Sequence, residues 1–146
     1  MPHALRGLAF RILLLACAAC ATASAQDSTF THADTLRGSI TPERAWWDVA
    51  FYDLHVRLDP ADSTVRGWNG ITYRVTGPSS AMQIDLQTPL EIDSVVQDGR
   101  RLTYRRDGNA FFVKLAAKQP KGATKTVTVY YHGRPTIATR PPWDGG

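Results

Sequence analysis

Catalysis needs a few kinds of side chain held close together, and in this sequence they are sparse and scattered. The histidines are His3, His32, His55 and His132, and the only glutamates are Glu43 in "TPER" and Glu91 in "PLEI". A catalytic zinc ion takes three protein ligands and keeps a fourth position open. No two of these histidines are spaced to share a helix face, neither glutamate adjoins one, and H-E-x-x-H does not occur. His55 reads as a solvent-facing strand residue and His132 as the last residue before a glycine turn. A serine nucleophile needs a strained turn such as G-x-S-x-G. The stretch "GPSSA", Gly77 to Ala81, lacks the second glycine and reads as a loop. Asp85 and Asp93 are of the type that cleaves glycosides in pairs, but both fall at strand or strand-edge positions where charged residues are common. No catalytic, cofactor-binding or metal-binding residue is assigned.

Four tryptophans remain: Trp46, Trp47, Trp68 and Trp143. Exposed on a β-sandwich they could stack on sugars or grip a protein, which makes a stand-alone binding module one reading. In the other, Trp46 and Trp47 begin a strand with at least one of them buried, and Trp68 fills a bulge.

The elements that position these residues are strands. In "DVAFYDLHVRLDP", Ala50, Tyr52, Leu54, Val56 and Leu58 alternate with Phe51, Asp53, His55 and Arg57. That period of two predicts one side in a core and the other in water. Asp59 to Asp62 breaks the run as a turn. "STVRGWNGITYRVTG" follows as the hairpin partner, with Val65, Ile71, Tyr73 and Val75 on one side and a bulge or bend expected at Gly67, Trp68 and Gly70. "AMQIDLQ" sets Met82, Ile84 and Leu86 on one face. Three further strands are separated by Asp98-Gly99 and Asp107-Gly108, strong hairpin signals, and "TKTVTVYYHG" alternates Val127, Val129 and Tyr131 outside its polar set. No apolar stripe recurs at helical spacing, so the predicted class is all-β, an antiparallel sandwich or curled sheet.

At 146 residues the chain has room for one domain. It opens with Arg6 and Arg11, an apolar run from Ile12 to about Ala21, and Ala23-Ser24-Ala25 before Gln26. That is the pattern of a secretory signal peptide over 1–25, cleaved after Ala25, and it implies export to a periplasmic or extracellular space. Acylation at Cys17 in Leu14-Leu15-Ala16-Cys17, giving a lipoprotein, is the alternative. The run is too short for a stable membrane span, which takes about 20 residues. Cys17 and Cys20 both lie in this leader, so the mature domain holds together without disulfides. Without the leader, 15 basic side chains face 13 acidic ones. The one basic cluster, "GRRLTYRRDG", reads as a solvated hairpin, and no nucleic-acid partner is expected. Residues 26–45, rich in Ser, Thr and Asp, read as an extended arm before the strands.

Four stretches in order carry a resemblance. "DTLRGSITPERAWWDVAFYDLHVRLDP", "VRGWNGITYRV", "MQIDLQTPLEIDSVVQDGRRLTY" and "VTVYYHGRPTIATRPPWDGG" resemble the N-terminal domain of bacterial zinc aminopeptidases of the aminopeptidase N family, the gluzincins that include leukotriene hydrolase. The resemblance spans Asp34 to Gly146. It implies a saddle-shaped β-domain over 46–137 that packs on a thermolysin-like catalytic domain and helps to wall its substrate cleft. Residues 138–146 then read as the passage into that catalytic domain, the expected partner in the same polypeptide. The family's zinc ligands, its general-base glutamate and the G-x-M-E-N-type strand that grips a peptide's amino terminus would all lie beyond Gly146. The resemblance thus implies zinc and a peptide substrate for the larger enzyme, with this chain inactive by itself.

Overall fold

The structure is a computed structural model and describes residues 29–142. The chain divides into Met1–Phe30 and Thr31–Gly146, and every element described below belongs to the second part. The leader assigned to 1–25 and the last four residues of the exit segment, Trp143 to Gly146, lie outside the described residues.

The arm is not extended throughout, as its composition predicts: α1 spans His32–Gly38. Thr31 caps it, its hydroxyl accepting from the Asp34 amide at 3.2 Å while the Asp34 carboxylate accepts from the Thr31 amide at 3.0 Å. This reciprocal box satisfies two amides that a helix start leaves open. Asp34 in the first turn and Arg37 in the last both suit the helix dipole. The helix buries none of its residues, which is why no apolar stripe announces it.

Seven strands follow: β1 (Trp47–Asp59), β2 (Thr64–Val75), β3 (Ser79–Asp85), β4 (Glu91–Gln97), β5 (Arg100–Asp107), β6 (Ala110–Gln119) and β7 (Thr124–Gly133). They form one antiparallel sheet in the order β1-β2-β7-β4-β5-β6-β3. The expected all-β architecture is therefore present as a single curled sheet. Its fold lies between β4 and β5, which pair only from Val95 with Leu102 to Gln97 with Arg100. Beyond those pairs β4 stays with β7 and β5 runs along β6, giving two wings. The two-residue loop at the β4–β5 corner is Asp98-Gly99, with φ of 50° and 73°. Positive φ at both positions is what a tight hairpin turn needs, and Asp-Gly is suited to it.

The alternating apolar residues meet inside the curl. Ile71, Tyr73 and Val75 of β2, Val127 and Val129 of β7, and Ile92 and Val95 of β4 share one cluster with Met82 and Ile84 of β3, Leu102 of β5, and Phe111, Val113 and Leu115 of β6. Each such side chain, taken fully out of water, contributes about 1.5–3 kcal/mol. Trp46 closes one end of the cluster, its indole nitrogen donating to the Ala81 carbonyl at 2.6 Å.

Candidate functional site

The three described histidines are kept apart, each by its own carboxylate. His32 Nε2 lies 3.1 Å from Asp107 at the start of α1, His55 Nε2 lies 2.9 Å from Asp53 on β1, and His132 Nδ1 lies 2.7 Å from Asp93 where β7 meets β4. No group of three His, Cys, Asp or Glu side chains among the described residues could hold a metal ion. The residues described do not fit a zinc site.

The other candidates are occupied structurally. Glu91 pairs with Arg106 at 2.5 Å. Glu43 is engaged through its backbone, its carbonyl accepting from the Trp47 indole at 2.9 Å and from the Gln83 backbone amide at 3.2 Å, while its carboxylate has no partner among the described residues. Ser79 contacts only the Ala81 backbone, at 3.3–3.4 Å, so no base activates it. Asp85 pairs with Arg44 and accepts from Gln83 at 3.1 Å. Asp93 pairs with His132 at the β4–β7 ladder, so each of the two carboxylates is held by its own partner.

The three described tryptophans are not open platforms. Trp46 is buried and Trp47 is partly buried against the core, both packed edge-on to Tyr73 at 5.8 and 5.7 Å between ring centres. Trp68 is half-buried, and one face of its indole is covered by the His55 imidazole, stacked at 3.8 Å and 17°. It does not fill a bulge: β2 keeps unbroken register with β1 from Asp59–Thr64 to Phe51–Thr72, and the irregularity sits at Ala50 instead. The glycine at 67 serves close approach: a side chain there would run into the His55 carbonyl, whereas one at 70 would meet its neighbours at ordinary contact distance.

The main departure from expectation is β1. Tyr52, Leu54, Val56 and Leu58 oppose Ile71, Asn69, Gly67 and Val65, so they point to the same side of the sheet as the core. That is the side their alternation predicts, yet no described residue covers them, and they remain 54%, 59%, 49% and 70% exposed. β1 is the terminal strand, paired only with β2, and none of its residues beyond the partly buried Trp47 joins the core. The layer formed by β5, β6 and β3 shields β2, β7 and β4 and stops short of β1. The Asn69 side-chain oxygen, on this same side, is buried with no hydrogen-bond partner among the described residues.

An apolar strip of this kind binds rather than reacts. Covering the strip would release hydration free energy of about 25 cal/mol for each Å². Sequence periodicity identifies these residues but reads them as core, because it reports the side of a strand and not what lies above it. Other groups are shifted by local contacts. The Thr64 hydroxyl holds the Asp62 carboxyl below its usual range, and burial raises the Tyr73 and Tyr131 phenols.

Compared by sequence, the chain matches no described protein family and no curated protein. Compared by structure, it is similar to an M1 zinc metallopeptidase from Deinococcus radiodurans, with a TM-score of 0.56 and 23% identity over 66% of this chain and 22% of that one. A variant of that enzyme bound to a Tyr-Ser-Ala substrate gives a TM-score of 0.58 and 23% identity over 71% and 24%. Leukotriene A4 hydrolase from Saccharomyces cerevisiae gives 0.50 and 15% over 60% and 15%. The match thus spans at most about a quarter of the length of these proteins. The curled all-β sheet of this chain is a fold found within M1 zinc metallopeptidases.

Proposed function

We propose that this chain is the N-terminal β-domain of an exported zinc aminopeptidase, serving to wall the substrate cleft while the chemistry is done elsewhere in the polypeptide. The observation that carries the reading is the structural likeness to M1 zinc metallopeptidases over about two thirds of this chain. The ordered sequence resemblance from Asp34 onward supports it independently. In this reading the zinc ligands and the general base belong to residues beyond Gly146. The uncovered side of β1, with Tyr52, Leu54, Val56 and Leu58 in water, then packs against the remainder of the enzyme. The leader directs the protein out of the cytoplasm, and the substrate is the free amino end of a peptide.

Sequencing the DNA downstream of the Gly146 codon tests the proposal. An in-frame continuation encoding H-E-x-x-H is expected, and the product of that longer frame should release amino acids from an aminoacyl chromogenic substrate in a chelator-sensitive way. This chain alone should release none. Turnover by this chain above a no-protein control would overturn the division of labour.

A further inference from the structure

β1 offers more than its apolar side. It is a thirteen-residue strand at the end of the sheet, with no strand on its outer edge among the described residues. A row of unpaired amides and carbonyls is a template for another strand, and folded proteins usually blunt such edges. The central residues Tyr52 to Leu58 carry no proline, and the irregularity at Ala50 leaves them in regular register.

The sequence of that edge complements itself. On the side away from the core, Asp53, His55 and Arg57 alternate along β1, opposite Gly70, Trp68 and Arg66. Arg57 thus faces another arginine directly, and neither pairs with a carboxylate among the described residues. Like charges in direct opposition are unfavourable, and opposite charges there are favourable.

We propose that β1 pairs antiparallel with β1 of a second copy of this chain, centred on His55, joining two sheets across a two-fold axis. In this register Asp53 lies opposite the second copy's Arg57, twice by symmetry, so each arginine gains the carboxylate it lacks. On the core side Tyr52 meets the second copy's Leu58, and Leu54 meets its Val56. A one-residue slip would set polar against apolar side chains along the whole edge. Two-fold dimers of this self-complementary kind are the commonest protein assemblies. The pairing uses the strand's edge and leaves the surface above it free, so it goes beyond the proposed enzyme reading and does not depend on it.

Sedimentation equilibrium on the full chain, with Cys17→Ser and Cys20→Ser to remove the leader thiols, tests this. A concentration-dependent monomer–dimer equilibrium is expected. Asp53→Arg alone or Arg57→Asp alone places like charges opposite each other at two sites and should weaken the dimer by about tenfold. The double exchange should restore it, with circular dichroism confirming that all variants fold. In the same background His55→Cys should cross-link on oxidation. Directly opposed Cα atoms lie about 4.5–5.5 Å apart, within the roughly 4.4–6.8 Å that a disulfide spans. Leu54→Cys should not cross-link. A chain that stays monomeric, a dimer indifferent to the charge changes, or cross-linking at 54 as readily as at 55 would each overturn the proposal.

Discussion

Gln97 donates its side-chain nitrogen to the Tyr73 hydroxyl at 2.9 Å, in the interior of the curl. Both residues are buried, and the Tyr73 ring packs edge-on against both Trp46 and Trp47. This contact joins β4 to β2 across the intervening β7. Tyr73→Phe keeps the ring but leaves the Gln97 amide buried and unpaired. It should cost about 1–3 kcal/mol in urea unfolding, and adding Gln97→Met should recover part of that loss. Equal stability in wild type and Tyr73→Phe would show that the contact is not formed.

Burial raises the ionisation of Tyr73 and Tyr131 above the ordinary tyrosine value. In the unfolded chain these phenols ionise near pH 10. Their contribution to stability is therefore intact below about pH 10 and is lost as pH rises through their higher folded values. Unfolding free energy measured from pH 8 to 11 should fall at the alkaline end, and fall less in Tyr131→Phe. A parallel curve for that variant would refute the assignment.

Gln83 fastens the N-terminal arm to the sheet. Its side-chain oxygen accepts from Thr41 at 2.8 Å and its nitrogen donates to the Leu36 carbonyl at 3.2 Å. Gln83→Ala removes both bonds from a buried site and should cost about 1–3 kcal/mol. Amide exchange should also speed up over 31–46 ahead of the β2–β7 ladder. Uniform acceleration across the chain would mean that the arm is not held separately.

The uncovered strip and the core should respond differently to truncation. Leu54→Ala should change stability by less than about 0.5 kcal/mol, as exposed positions do. Phe111→Ala, with its ring in the core, should cost about 3–5 kcal/mol. Thermal melts of the two variants decide this, and a large loss at Leu54 would show that β1 is covered in solution.

Much of this architecture is legible in the residues. Alternation in β2, β3 and β7 picks out Ile71, Tyr73, Met82, Ile84, Val127 and Val129, all of them buried. Asp98-Gly99 marks the β4–β5 turn because few residue pairs accept positive φ so readily, whereas the β5–β6 turn falls one residue later than the Asp107-Gly108 signal, at Gly108-Asn109, with Asp107 still paired to Ala110. Other features depend on partners remote in sequence. Gln83 points away from the core and is buried because the arm lies over it, which no pattern within β3 records. The stacking of His55 on Trp68 follows from the β1–β2 register. α1 is set by its capping box and carries no apolar face, so periodicity passes over it.

The place of β7 has a kinetic meaning. It is last in sequence yet lies between β2 and β4, pairing Val65 with Gly133 and Val95 with Val129. The β1–β2 and β4–β5–β6 hairpins close locally and fast, whereas ladders between distant segments form slowly. Until Thr124–Gly133 has left the ribosome, β1–β2 shares no ladder with β4–β5–β6, so a nascent chain ending before it holds separate hairpins with their apolar sides in water.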